Sequence, residues 1–105
     1  MFKITPNAAE QVAVAAKQSG TEKMSLRFAA QKRADGTFDY RMGFDSANED
    51  DIRFKSEGVD IIIAPEFVPL LDNTVMDFVV LEEGGDPQFI FINPDDANYS
   101  PPSES

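Results

Sequence analysis

The run Val59-Asp60-Ile61-Ile62-Ile63 is apolar on both faces of an extended chain except at Asp60. A strand of that kind has no face to give to water, so it must lie inside a sheet, with neighbours on each side and cover above and below. The rest of the chain has to supply them. Residues 24–31 and 37–44 alternate as two strands, with Leu26, Phe28 and Ala30 on one face of the first and Phe38, Tyr40, Met42 and Phe44 on one face of the second. A two-residue turn at Asp35-Gly36 would pair Phe28 with Gly43 and set the two apolar faces on opposite sides. A three-residue loop, Ala34-Asp35-Gly36 with Gly36 left-handed, pairs Phe28 with Met42 and Ala30 with Tyr40, and this is the register expected. It places Lys32, Arg33 and Asp35 at an exposed hairpin tip.

The flanking segments follow from the same signals. Thr5 is a suitable N-cap, Pro6 fits the first helical position, Ile4 can staple onto Ala9, and Gly20 can end the helix. Ala8, Ala9, Val12, Ala13 and Ala16 form one small-residue stripe on it. Short strands are expected over 52–55, 59–63, 74–81 and 89–92, with one or two helical turns over 65–72 that bring Phe67, Leu70 and Leu71 inward. Asn93-Pro94 stops the last strand, and residues 95–105 are too polar to build a core. The expectation is therefore a β-rich α+β fold in a single domain, residues 1–94, followed by a flexible polar tail, residues 95–105.

Composition excludes several kinds of chemistry. The chain contains neither Cys nor His, which removes thiolate nucleophiles, disulfides, the two commonest zinc ligands and any His base. Nineteen acidic against nine basic side chains give a formal charge of -10, the wrong sign for neutralising a phosphate backbone, so nucleic acid is not an expected partner. No apolar run approaches the roughly 20 residues of a membrane span, and the first residues lack a signal-peptide pattern, so the expected compartment is the cytoplasm. The acidic stretch 45–51 lacks the ligand spacing of a calcium loop and reads as a solvated loop. Asp60 and Asp77, each inside an apolar run, are expected to point outward or to pair with a positive group rather than to act as acid and base.

Four stretches in order, Gly58-Val59-Asp60, Leu70-Leu71-Asp72-Asn73, Met76-Asp77-Phe78-Val79 and Phe89-Ile90-Phe91-Ile92-Asn93-Pro94, resemble the A-type iron-sulfur carrier family, also called HesB-like. The N-terminal helix, the Leu26-Arg27-Phe28 strand and the hairpin fall in the family's order too. The resemblance implies the compact HesB-like fold, two packed small mixed sheets forming a partly open barrel or sandwich, with one N-terminal helix and one short helical turn. It also implies a setting in iron-sulfur cluster biogenesis. Members of the family hold iron or a cluster through three cysteines, one at the hairpin and two near the C-terminus. The matching positions here carry Asp35, Ser100 and Pro102. Sulfide-bridged iron is soft and is held by thiolate, whereas a Ser hydroxyl stays protonated and Pro offers no side-chain ligand.

The expected function is accordingly that of a non-catalytic protein with a carrier scaffold and no cluster ligands, cofactor or metal. It would act as a monomer through protein-protein contact, as a regulator or accessory of sulfur or iron-sulfur metabolism. The alternative is a protein that binds iron or another divalent metal through oxygen ligands in cluster assembly. Candidate partner contacts are Lys32, Arg33 and Asp35 at the tip and Tyr99 in the tail, each read against a bland alternative: a solvated turn for the first three and plain disorder for the last. Deletion of the residues after Asn98 is expected to leave the thermal midpoint nearly unchanged in a calorimetric scan, since little apolar surface is lost.

Overall fold

The all-apolar run becomes the inner strand of a four-stranded sheet. The structure is a computed structural model and describes residues 2–80 and 83–97. In chain order its strands are β1 (Lys3–Ile4), β2 (Ser25–Lys32), β3 (Phe38–Asp45), β4 (Ile52–Ser56), β5 (Val59–Ile63), β6 (Val75–Val79) and β7 (Gln88–Ile92). The larger sheet has the order β3-β2-β5-β4, with β5 parallel to β2 and antiparallel to β4. Pairing Leu26 with Ile61 and Phe28 with Ile63 puts these side chains on one face, where all four are almost completely buried. Ile62 lies on the other face between Arg27 and Arg53, yet is only 1% exposed. Asp60 points outward, with Lys55 Nζ at 3.6 Å.

The hairpin of β2 and β3 has the three-residue register that the apolar faces require. Phe28 pairs with Met42 and Ala30 with Tyr40, and Gly36 takes the left-handed conformation at φ 88°. The Arg33 N–H donates to the Thr37 carbonyl at 2.7 Å and the Gly36 N–H to the Arg33 carbonyl at 3.0 Å, closing the turn. One residue of the expected apolar face behaves differently: Met42 is 40% exposed. It sits on the edge strand, whereas Tyr40 beside it stacks on Phe91 of β7 at a centroid distance of 4.4 Å.

The smaller sheet has the order β1-β6-β7, parallel between β1 and β6 and antiparallel between β6 and β7. Both sheets are thus mixed, and they pack without closing into a barrel. Strand β1 is absent from the sequence reading, which used Ile4 as a helix staple. Two residues are too few to show a period, and Ile4 is instead a buried strand residue opposite Met76. Its N–H donates to Ser56 Oγ at 3.0 Å, joining the small sheet to β4.

Helix α1 (Pro6–Ser19) begins and ends where its capping residues dictate. Thr5 Oγ1 accepts from the Ala8 N–H at 3.2 Å, and Gly20 closes the C-terminus at φ 71°. The same hydroxyl donates to Asp77 Oδ1 at 2.5 Å, so the carboxylate in the middle of β6 fastens the helix start to the sheet. Ala8, Ala9, Val12 and Ala16 are buried, but Ala13 is exposed. Its place 100° on from Val12 carries it past the margin of the stripe. A 3-10 turn at Pro65–Phe67 leads into α2 (Val68–Leu71), which buries Leu71 completely and Phe67 and Leu70 partly, the inward set expected.

The acidic loop between β3 and β4 is organised by one guanidinium. Arg27 donates through Nε to Asp45 at 2.7 Å, through Nη1 and Nη2 to both oxygens of Asp51 at 2.9 and 2.6 Å, and to the Ser46 carbonyl at 3.2 Å. Asp51 also accepts from the Asn48 N–H at 2.6 Å. Arg53 reaches the Asn48 carbonyl at 3.3 Å, so two arginines flanking Ile62 hold the loop against that face of the sheet. Arg27 holds the Asp51 carboxyl down to about 2, and that of Asp45 below the ordinary carboxylate range. The guanidinium itself is raised further above neutral pH, chiefly by Asp51 and then Asp45.

Two outcomes follow for stability. Leu71→Ala is expected to cost roughly 2–5 kcal/mol in urea unfolding, since it empties a fully buried site. Asp51 has a folded pKa below its unfolded value of about 3.9, so its contribution is complete above that value and is lost as pH falls through about 2. Urea midpoints of the wild type are therefore expected to drop more steeply between about pH 4 and pH 2 than those of Arg27→Met, in which the loop has already lost its clamp.

Candidate functional site

The hairpin tip and the segment after β7 come together at one end of the molecule. Asn93 starts the arrangement. It is 1% exposed, its Nδ2 donates to the Leu70 carbonyl at 3.1 Å, and its Oδ1 accepts from the Asp95 N–H at 3.0 Å. The Asp96 N–H returns to the Asn93 carbonyl at 3.0 Å, so Asn93-Pro94 is a tight turn that aims the chain at the hairpin. Pro94 costs nothing there because its missing N–H falls outside the strand ladder.

Asp96 then acts as a latch. Its Oδ1 accepts from the Phe38 N–H at 3.2 Å and its Oδ2 from the Tyr40 hydroxyl at 2.8 Å, and the residue is 8% exposed. One position on, the Ala97 N–H donates to the Gly36 carbonyl at 3.0 Å. Gly36 is needed twice over: its φ is left-handed, and an added Cβ would stand 3.3 Å from the Ala97 Cβ. The Tyr40 hydroxyl is pushed well above its usual pKa by burial and then by the Asp96 carboxylate, so it stays a neutral donor. Asp96 and Ala97, expected in the polar tail, are thus bonded to the hairpin.

Asp35, at the hairpin tip, is spent on the turn. Its Oδ1 accepts from the Thr37 N–H at 3.0 Å and the Thr37 hydroxyl at 2.6 Å. These bonds, the hydroxyl's first, keep its carboxyl below the ordinary range. Lys32 and Arg33 are exposed beside it, with Arg33 at 3.5 Å from Asp39. Ser100, Pro102 and Tyr99 lie outside the described residues. The structure therefore brings the hairpin against Asp96 and Ala97.

Sulfide-bridged iron does not fit the donors present. There is no cysteine in the chain, and the carboxylates that meet at this end are committed to Thr37, Phe38 and Tyr40. Among the described residues no group of three or more acidic side chains is arranged to hold a metal ion. The acidic loop is likewise engaged by Arg27. The sequence does not predict the bonding roles of Asp96, Tyr40 and Arg27. Asp96 looked like one more solvated acid, and only its buried partners distinguish it. The Asn93-Pro94 pair was the one available signal for this turn.

Comparison with known proteins places this geometry. No protein-family model matches the chain. The iron-binding protein IscA of Yersinia pestis is 33% identical over 98 residues, spanning 92% of this chain and 89% of the relative. A protein of Aquifex aeolicus is 33% identical over 86 residues, 81% of this chain and 74% of the relative. Among solved structures, Escherichia coli SufA, involved in biosynthesis of iron-sulfur clusters, superposes with a TM-score of 0.73 at 25% identity over 99% of this chain and 90% of that one. IscA carrying a [2Fe-2S] cluster gives a TM-score of 0.70 at 26% identity, covering 90% and 86% of the two chains. With its sequence alike over nearly its whole length and its sheets, helix and hairpin arranged as in SufA and IscA, the chain belongs to the A-type, HesB-like family of iron-sulfur carriers, as a divergent member without cysteine.

Proposed function

We propose that this protein is a non-catalytic member of the carrier family that has kept the scaffold without its cluster ligands. It acts by protein-protein contact as a regulator or accessory of sulfur or iron-sulfur metabolism, in the cytoplasm. The observation that carries this reading is the combination of an intact family fold with a chain in which no cysteine occurs. The bonding at the hairpin end supports it further. Asp35 is committed to Thr37, and Asp96 ties the C-terminal strap to Tyr40 and Phe38, so the hairpin end, where the resemblance puts a carrier's ligands, is held by hydrogen bonds.

The hairpin tip offers Lys32 and Arg33 to a partner, and the segment beyond Ala97, with Tyr99, offers a second contact. Relatives named for iron binding and cluster biosynthesis supply the metabolic setting. The competing reading is a protein that holds iron or another divalent metal through oxygen ligands, and no arrangement among the described residues favours it.

Protein reconstituted anaerobically with iron and sulfide is expected to stay colourless after desalting, because no thiolate is present to give sulfur-to-iron charge transfer. A stable visible spectrum at stoichiometric iron would overturn the reading. Calorimetric titration with ferrous iron and with manganese is expected to give no heat of binding beyond dilution; saturable tight binding would favour the oxygen-ligand alternative instead.

A further inference from the structure

We propose that the outward face of the smaller sheet is a docking site, and that its occupant is an amphipathic helix of a partner protein with one arginine or lysine inside its apolar stripe. The inference rests on the accessory reading and names the chemistry of its contact. Strands β6 and β7 pair Val75 with Ile92, Asp77 with Ile90 and Val79 with Gln88, and β1 sets Lys3 beside Val75. Paired residues share one face of a sheet, and successive residues alternate between faces. Met76, between Ile4 and Phe91, is completely buried, and Phe78 and Phe89 pack against the core, so this set faces inward. Val75, Asp77, Val79, Ile90 and Ile92 therefore face out.

A sheet with one face in water ordinarily carries polar residues there. The larger sheet does so, with Asp39, Asp45 and Asp60 turned outward and held by Arg41, Arg27 and Lys55. The smaller sheet does not. Val75, Val79, Ile90 and Ile92 lie outside the core and are half-buried. Helix α1 leaves them uncovered, because its buried residues Ala8, Ala9 and Val12 join Met76 in the core on the other side. The size of the face suits one helix. Strands β6 and β7 have five residues each, a length of about 17 Å, and three helical turns span about 16 Å with enough width to cover two strands.

Asp77, at the centre of this face, selects the occupant. Its Oδ1 accepts from the Thr5 hydroxyl at 2.5 Å and from the Phe78 N–H at 2.8 Å. Among the described residues its Oδ2 has no partner, and no lysine or arginine forms an ion pair with it. It differs in this from the paired acids of the larger sheet. A wholly apolar helix would bury the carboxylate unpaired, whereas a single arginine among leucines meets it while the leucines exclude water around the pair. Lys3, exposed at the corner of the face, repels further cations and disfavours a helix that is basic along its length. A second copy of the chain fits poorly. A two-fold contact through this face would set Asp77 against Asp77, and the face falls well short of the roughly 20–30 residues a side of a stable interface.

The test uses a helical peptide of about fourteen residues, with a leucine stripe, one arginine at its centre and alanine and glutamine elsewhere, titrated into the full-length, nitrogen-15-labelled protein. The amides of Val75, Asp77, Val79, Ile90 and Ile92 are expected to shift saturably. The same peptide with glutamate in place of arginine is expected to bind at least roughly tenfold more weakly. Asp77→Asn keeps an oxygen for Thr5 and Phe78 but removes the charge, and is expected to weaken binding of the arginine peptide by about the same factor. If it does not fold, Ile90→Lys, which brings a cation beside Asp77 from outside the core, is expected to do so instead. Absence of binding by the arginine peptide, equal binding by the glutamate peptide or by the folded variant, shifts confined to other surfaces, or shifts of these amides with concentration in the free protein would each overturn helix docking. Such a result leaves the accessory reading standing, and cluster loading in the reconstitution above would overturn that reading without touching this face.

Discussion

Phe28 is the contact on which the rest of the molecule depends. Its ring lies 4.5 Å from that of Phe2 and meets Phe91 edge-on at 6.1 Å, so one side chain on β2 joins the N-terminal residues, the hairpin and the last strand. It is 1% exposed, and beside it on the same strand Leu26 and Ala30 are buried too. A chain this short cannot afford two cores, and two small sheets become stable only by burying their apolar faces on each other. The aromatic cluster is the point where they do so.

From that packing follows the geometry of the hairpin end. Phe91 leans on both Phe28 and Tyr40, which sets β7 beside β3, and Asn93-Pro94 then turns the chain directly onto the hairpin. The convergence draws on distant parts of the sequence. In this chain the same convergence is closed by ordinary polar bonds: a carboxylate receives a tyrosine hydroxyl and a strand-edge N–H, and the aspartate of the hairpin turn serves the turn. Scaffold and chemistry have separated, because holding sheets together needs apolar volume while holding soft iron needs thiolate.

The charged side chains divide in the same manner between support and surface. Arg27, with 21% of its side chain exposed, binds an Asp51 side chain that is 2% exposed, and this pair fixes the acidic loop over the outer face of the sheet. The exposed pairs of Asp39 with Arg33 and Arg41, at 3.5 and 3.6 Å, are weak by comparison and decorate the edge strand. A run of acids that reads as a solvated loop thus contains two residues, Asp45 and Asp51, that Arg27 holds in place, and two, Glu49 and Asp50, that are exposed.

Much of the fold was written in local patterns. The inner position of β5, the hairpin register, the Thr5 and Gly20 caps and the inward set of the short helix all come from alternation, turn chemistry and helical spacing, which act over a few residues. The absence of cysteine is likewise legible at once and removes thiolate ligation without any structure. Tertiary structure alone decided the rest. Strand β1 exists because Met76 offers it a partner, Met42 is exposed because β3 falls at an edge, and Asp77 holds the hydroxyl of the capping residue Thr5, 72 positions earlier. Asp96 became a latch, and Arg27 a clamp, only when the fold brought them donors or acceptors from far along the chain. Sequence patterns report which way a side chain faces; what it meets there depends on contacts between residues that no local pattern relates.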